Sequence, residues 1–235
     1  MAGVLLVAGA GEGLGRSIAL RFAREGYQVA LAARNAEKLQ QLAAETKGRA
    51  FPADLTREAD VRGLFDAAES GLGPIDAVAF VAASRMQAPV AETSVEDFER
   101  LWRQGCLAGF LVGREAARRM LPRGRGTLIF TGSSTSFRGR AEYAAFSAAK
   151  GGLRFLAQSM ARELGPKGIH VATVLVEGAI DSKMMWREFR ARMESLGPDG
   201  AVHPDALAET YWQIHSQPRN AWTHEIDVRP WAAPF

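Results

Sequence analysis

Directly after an apolar run at residues 4–7 the chain reads Gly9-Ala10-Gly11-Glu12-Gly13-Leu14-Gly15, and a helix-period stretch over 13–25 follows. Few folds place glycine at alternate positions between a buried strand and a helix. Without a Cβ, the backbone can turn sharply and approach a ligand closely. The N–H groups and dipole at the start of the helix favour an anion there. A strand, a glycine-rich turn and a helix in that order predict a pyrophosphate cradle in a Rossmann-type unit, with Gly9, Gly11, Gly13, Leu14 and Gly15 as its residues.

The rest of the chain continues the alternation. Apolar strand-length runs are expected at 29–33, 50–53, 77–82, 127–131 and 170–176. Helix-period stretches fall at 36–45, 57–69 and 143–164, and a long helix should reach 120 from a capping box made by Thr93 and Glu96. Such alternation implies right-handed crossovers and a doubly wound parallel sheet of the α/β class. No repeat or linker interrupts it, so residues 1–235 are expected to form one domain. After Ser182 the pattern loosens. A small helical lobe over about 183–215 should cover the substrate site, with a helix entered near Pro204 and a last strand at 222–228.

Composition removes several classes of function. Apolar residues make up 47%, enough for a large core, but the apolar runs are too short to span a bilayer. The sequence shows no secretory leader, and the single cysteine, Cys106, fits a reducing compartment, so a cytoplasmic protein is expected. His170, His203, His215 and His224 lack metal-ligand spacing, and no metal is expected. A net charge of +3 and an arginine cluster at 118, 119, 123 and 125 read as a solvated helix end, with no nucleic-acid motif beside it.

Three further features carry a resemblance. Ser133 lies thirteen residues before Phe146, Lys150 four after it, and Asp54-Leu55 follows the third strand. Together with the Gly-x3-Gly-x-Gly spacing, these resemble the short-chain dehydrogenase/reductase family over residues 3 to about 182. The resemblance implies an oxidoreductase using a nicotinamide dinucleotide and a small-molecule substrate. It puts Asp54 and Leu55 against the adenine, Lys150 on the nicotinamide ribose, Gly178 in the turn after the sixth strand, and Ser182 where a cofactor-contacting threonine stands. Ala33 occupies the usual acidic position and Arg34 follows it, which favours NADP over NAD, although Glu12 points the other way.

The catalytic part departs from the family pattern. Phe146 takes the place of the tyrosine that exchanges a proton with the substrate oxygen. Gly105 takes that of an asparagine, and Phe80-Val81-Ala82-Ala83 replaces the Asn-Asn-Ala-Gly segment. Ser133 and Lys150 keep their register. Tyr143 is the nearest other phenol, two helical turns (about 10 Å of rise) before Lys150. Its Tyr-x6-Lys spacing resembles the enoyl-acyl-carrier-protein reductases, and 2,4-dienoyl-CoA reductases also lack the usual tyrosine. A helix-entry tyrosine packed under a loop is the competing reading.

The resulting expectation is an NADP-preferring oxidoreductase acting on a small carbonyl or activated enoyl compound. Ser133, Tyr143 and Lys150 would be its catalytic residues. The alternative is a dinucleotide-binding protein with little catalysis. Apolar stretches at Phe110-Leu111-Val112 and at Leu153, Phe155 and Leu156, with the 222–231 tail, suggest a homo-dimer or homo-tetramer.

Overall fold

A computed structural model describes residues 3–82 and 84–233. Its first half alternates strictly: β1 (Val4–Ala8), α1 (Leu14–Arg24), β2 (Gln28–Ala33), α2 (Ala36–Thr46), β3 (Arg49–Pro52), α3 (Glu58–Leu72) and β4 (Ile75–Phe80). Then come α4 (Val95–Trp102), α5 (Ala108–Met120), β5 (Gly126–Ser133), α6 (Ala144–Leu164), β6 (Ile169–Val176), the short α7 (Lys183–Glu188) and α8 (Arg190–Ser195), α9 (Pro204–His215) and β7 (Glu225–Val228). The strands form one parallel sheet in the order β3-β2-β1-β4-β5-β6-β7. β1 and β6 are buried along their whole length because helices cover both faces. Edge strand β3 is more exposed and ends in Pro52, a residue tolerated there because an edge needs no inward N–H.

Side chains alternate across each strand and feed two cores. Phe65, Phe80, Phe130 and Leu153 fill the layer under α3, α5 and α6. Phe22, Leu31, Leu39 and Tyr211 fill the layer under α1, α2 and α9. Each such side chain contributes roughly 1.5–3 kcal/mol by leaving water. The arginine cluster is bound to its surroundings: Arg119 donates to Asp66, Glu69 and Glu115, and Arg123 to the Ile75 carbonyl.

Four local expectations are corrected. The cap of α4 is Ser94, whose Oγ accepts from Asp97 N at 3.0 Å, while the Thr93 hydroxyl is turned to the Pro89 carbonyl. The long helix is broken at Arg103–Leu107 by a π turn. The excursion expected over 183–215 divides: α7 and α8 form a small cluster around Met185 and Met193, whereas α9 packs on α1 as part of the sheet's own helical layer. Its Leu207, Ala208, Tyr211 and Ile214 form an apolar stripe buried in that layer. Of the stretches nominated for self-association, Leu111, Val112 and Leu153 face the core. Phe110 and Phe155 are exposed, beside Phe98 and Trp102.

Candidate active site

Chain order reverses between β1 and β4, which opens a crevice beyond the carboxyl ends of the strands, the usual ligand position in such sheets. Gly9 begins the turn with φ +94°, and a Cβ there would lie 2.5 Å from the Ala82 backbone. The Gly9 and Ala10 N–H groups both donate to the Ala32 carbonyl, at 2.8 and 2.9 Å. Gly11 faces open space, and Gly13 lies against Ser182, the N-cap of α7. Gly15 packs so close to Ala10 that a Cβ would lie 3.0 Å from its Cα. Buried Leu14 opens α1, whose first turn has neither a side-chain cap nor an acidic residue. Arg16 N already donates to the Gly11 carbonyl and Ser17 N to that of Gly13, so Leu14 and Gly15 carry the N–H groups without such a partner.

Gly9, Arg34, Asp54, Val81, Ala82 and Gln104 all line a cleft of about 340 Å³. Burial works to raise the Asp54 carboxyl. Hydrogen bonds from the Thr56 N–H and hydroxyl, at 2.9 and 2.7 Å, and the nearby charges of Arg34 and Arg57 outweigh it and hold the group below its usual range. Leu55 is buried beside it. Arg34 is exposed and forms no ion pair among the described residues. Gly178, φ +93°, turns the chain after β6, next to the Pro230 ring. Ala83, which closes the segment after β4, lies outside the described residues.

The end of β5, which carries Ser133, and α6, which carries Lys150, are tied together through Thr131. Ser133 is the last residue of β5, and its Oγ accepts from Thr135 N at 3.4 Å and Thr135 Oγ1 at 3.2 Å. Those contacts use its lone pairs and leave its O–H to donate. Lys150 is only 3% exposed, and its ammonium donates to the Thr131 carbonyl at 2.7 Å. Burial without a carboxylate partner lowers its pKa to about 8. The Thr131 hydroxyl turns to the other face of the sheet, where it meets Tyr211 Oη at 2.6 Å and the Phe80 carbonyl at 2.9 Å. Burial raises the Tyr211 phenol well above its ordinary range.

Phe146 is half-buried one turn before Lys150, edge-on to the Tyr143 ring at 6.5 Å. Gly105 lies inside the π turn against α6, and a Cβ there would meet the Ala149 methyl at 3.0 Å. An asparagine therefore does not fit without moving α6. Tyr143 is buried and precedes α6. Its hydroxyl donates to Gln87 Oε1 at 2.7 Å and accepts from Arg85 Nη2 at 2.6 Å. Arg85, Gln87 and Arg140, which surround that phenol, were not singled out from the sequence. The one available signal was the position of Arg85, just past β4 at the carboxyl edge. Gln104, in contact with Ser84, was also missed.

Among the described residues no helix is long and apolar enough to cross a membrane, and no group of three or more His, Cys, Asp or Glu could hold a metal ion.

Comparison with known proteins gives one consistent result. The family model described as short chain dehydrogenase matches residues 3–193. A 3-oxoacyl-[acyl-carrier-protein] reductase of Rattus norvegicus is 33% identical over 183 residues, covering 77% of each chain. A short-chain dehydrogenase/reductase of Armillaria gallica is 35% identical over 176 residues, covering 72% of this chain and 67% of its own. The crystal structure of a short-chain dehydrogenase from Rhodopseudomonas palustris superposes with a TM-score of 0.82 at 39% identity, covering 97% of this chain and 99% of that one.

Proposed function

The chain belongs to the short-chain dehydrogenase family and is an oxidoreductase of that type, and on this premise we propose that it moves hydride between NADP and a small carbonyl or activated enoyl compound. The observation that carries the reading is Lys150, held buried on the Thr131 carbonyl beside Ser133, at the same edge as the glycine turn.

The residues fit a dinucleotide. The Gly9–Ala82 approach leaves room for nothing larger than hydrogen, and the start of α1 offers uncapped N–H groups to an anion. When bound, the nicotinamide supplies or accepts the hydride. Arg34, exposed beside Asp54 with no carboxylate at Ala33, would pair with a 2′-phosphate, which supports NADP. Gly9, Gly11, Gly13, Leu14 and Gly15 would cradle the pyrophosphate. Asp54 and Leu55 would flank the adenine, and Gly178 and Ser182 the nicotinamide end. Lys150 would hold the ribose hydroxyls and place positive charge beneath the reacting oxygen. Ser133 would donate its free O–H to that oxygen. Tyr143 would reach the substrate from the mouth of the pocket, but its proton becomes available only when the substrate displaces Gln87.

NADPH absorbance, followed against a panel of ketones and enoyl thioesters, tests the reading. Saturable turnover on one class is expected, and Ser133→Ala should lower it by about 10²-fold or more. Phe146→Tyr should raise ketone reduction if a lost phenol limits it. NADPH binding without turnover on any compound would instead mark a dinucleotide-binding protein without catalysis.

The exposed Phe98, Trp102, Phe110 and Phe155 on α4, α5 and α6 support a homo-oligomer paired through these helices, which light scattering tests. The single cysteine supports a cytoplasmic setting.

A further inference from the structure

Two guanidinium groups flank one phenol at the substrate end of the cleft. Arg85 Cζ lies 4.9 Å from the centre of the Tyr143 ring and 5.5 Å from that of Phe189. Arg140 Cζ lies 5.2 Å from the Tyr143 ring. The two come from different loops, Arg85 from the segment after β4 and Arg140 from the segment before α6. Phe189 comes from the junction of α7 and α8. Ser84, the neighbour of Arg85 in sequence, lines the cleft itself.

Neither arginine forms an ion pair among the described residues, although most arginines of this chain do. The carboxylates on the neighbouring loops are engaged elsewhere: Glu142 by Gln87, Glu177 by Arg138 and Asp181 by Trp186. Arg85 uses one N–H group on the Tyr143 hydroxyl, and Arg140 meets only the ring face. Two like charges gathered on one aromatic ring repel each other, and among the described residues no carboxylate pairs with either. Stacking on aromatic faces fixes the planes of the guanidinium forks, which lowers the ordering lost when an anion is bound.

We propose that Arg85 and Arg140 form an anion clamp, and that the substrate carries a carboxylate or phosphate group near its reacting carbonyl or enoyl carbon. The proposal rests on the oxidoreductase reading above and names the substrate class for that same site. Arg85 is the specificity residue. It reaches Tyr143, so it couples recognition of the anion to the phenol at the pocket mouth, and Phe189 brings the α7–α8 segment over the clamped group.

Matched pairs test it: hydroxyacetone phosphate against hydroxyacetone, and acetoacetate against methyl acetoacetate, each with NADPH. The charged member of at least one pair should have the higher kcat/KM, through a lower KM. Arg85→Gln and Arg140→Gln should each reduce the charged-to-neutral ratio of kcat/KM by about tenfold or more. Arg85→Lys, which keeps the charge and loses the fork, should recover part of that ratio. The favoured pair tells phosphate from carboxylate. Equal use of both members of each pair, or an equal effect of the variants on both, would mean that the arginines only brace the loops, and would overturn the clamp. A second arm does not depend on turnover: calorimetric titration of the NADP⁺-saturated protein with malonate and with methylphosphonate. If none of the four ketones is reduced, yet one of these anions binds and Arg140→Gln weakens it about tenfold, the anion site stands and the hydride transfer proposed for ketones of this size fails. No binding of either anion, or binding indifferent to the variants, overturns the site.

Discussion

A side chain added at Gly9 would meet the Ala82 backbone at 2.5 Å, whereas one added at Gly105 would meet only the Ala149 methyl, at 3.0 Å. The first glycine lies at the proposed nucleotide end of the cleft and the second at the proposed catalytic end. At the nucleotide end, backbone approaches backbone, and strand-end hydrogen bonds from Gly9 and Ala10 to Ala32 fix the geometry. No side chain can substitute for that arrangement. At the catalytic end, side chains from separate loops meet: Tyr143 with Gln87 and Arg85, and Ser133 with Thr135. Such contacts can be exchanged one at a time.

Substitution at the two glycines should separate these ends. Gly9→Ala combines a φ that L residues rarely adopt with a backbone clash, and should destabilise the protein by about 3–5 kcal/mol and abolish dinucleotide binding. Gly105→Asn presses on a side chain and a helix that can shift, and should destabilise it by about 1–3 kcal/mol with dinucleotide binding retained. Urea unfolding and NADPH fluorescence measure both. Equal effects at the two sites would erase the contrast.

A smaller effect is expected at Arg34, a side-chain contact within the backbone-built end. Arg34→Gln should weaken NADPH by about tenfold or more while changing NADH little, because only the phosphate needs the guanidinium. Parallel titration of the two cofactors checks this. Equal losses would reassign Arg34 to a general role.

The smallest effect belongs to the opposite, amino edge of the sheet. There His215 contacts Tyr27 Oη at 2.5 Å and Thr127 Oγ1 at 2.9 Å. Burial, partly opposed by Asp76 and helped by the charge of His170, lowers its pKa to about 4. With the folded value below the unfolded one, the unfolded chain takes up the proton first. This contribution to stability is complete above about pH 6.5 and is lost as pH falls toward about 4. Urea midpoints measured from pH 7 to 4.5 should fall, and fall less steeply in His215→Gln. Lys150, its pKa lowered to about 8 by burial, titrates in a higher window: its cost to stability is present below about pH 8 and is relieved as pH rises toward about 10.5.

What the sequence determined by itself was short in range. The glycine turn lies within a few residues of the strand and helix it joins, so Gly9 to Gly15 were legible, as was the alternation that yields a doubly wound sheet. Ser133 and Lys150 were legible through their resemblance to the family's spacing, and the fold puts one at the end of β5 and the other on α6. Nothing local announced that Ala149 closes the space beside Gly105. Nor did the sequence show that α9 would pack on α1, since its apolar stripe fits a lobe or a layer equally well until its partner is known. Arg85, Gln87, Arg140 and Phe189 are ordinary loop residues in the sequence. Arg85, Gln87 and Arg140 converge on Tyr143, and Phe189 meets Arg85, because the sheet order places the loops after β4 and β5 side by side and the segment after β6 near them. Local periodicity fixes which edge a residue occupies. Only the packed tertiary structure decides which distant side chains meet there.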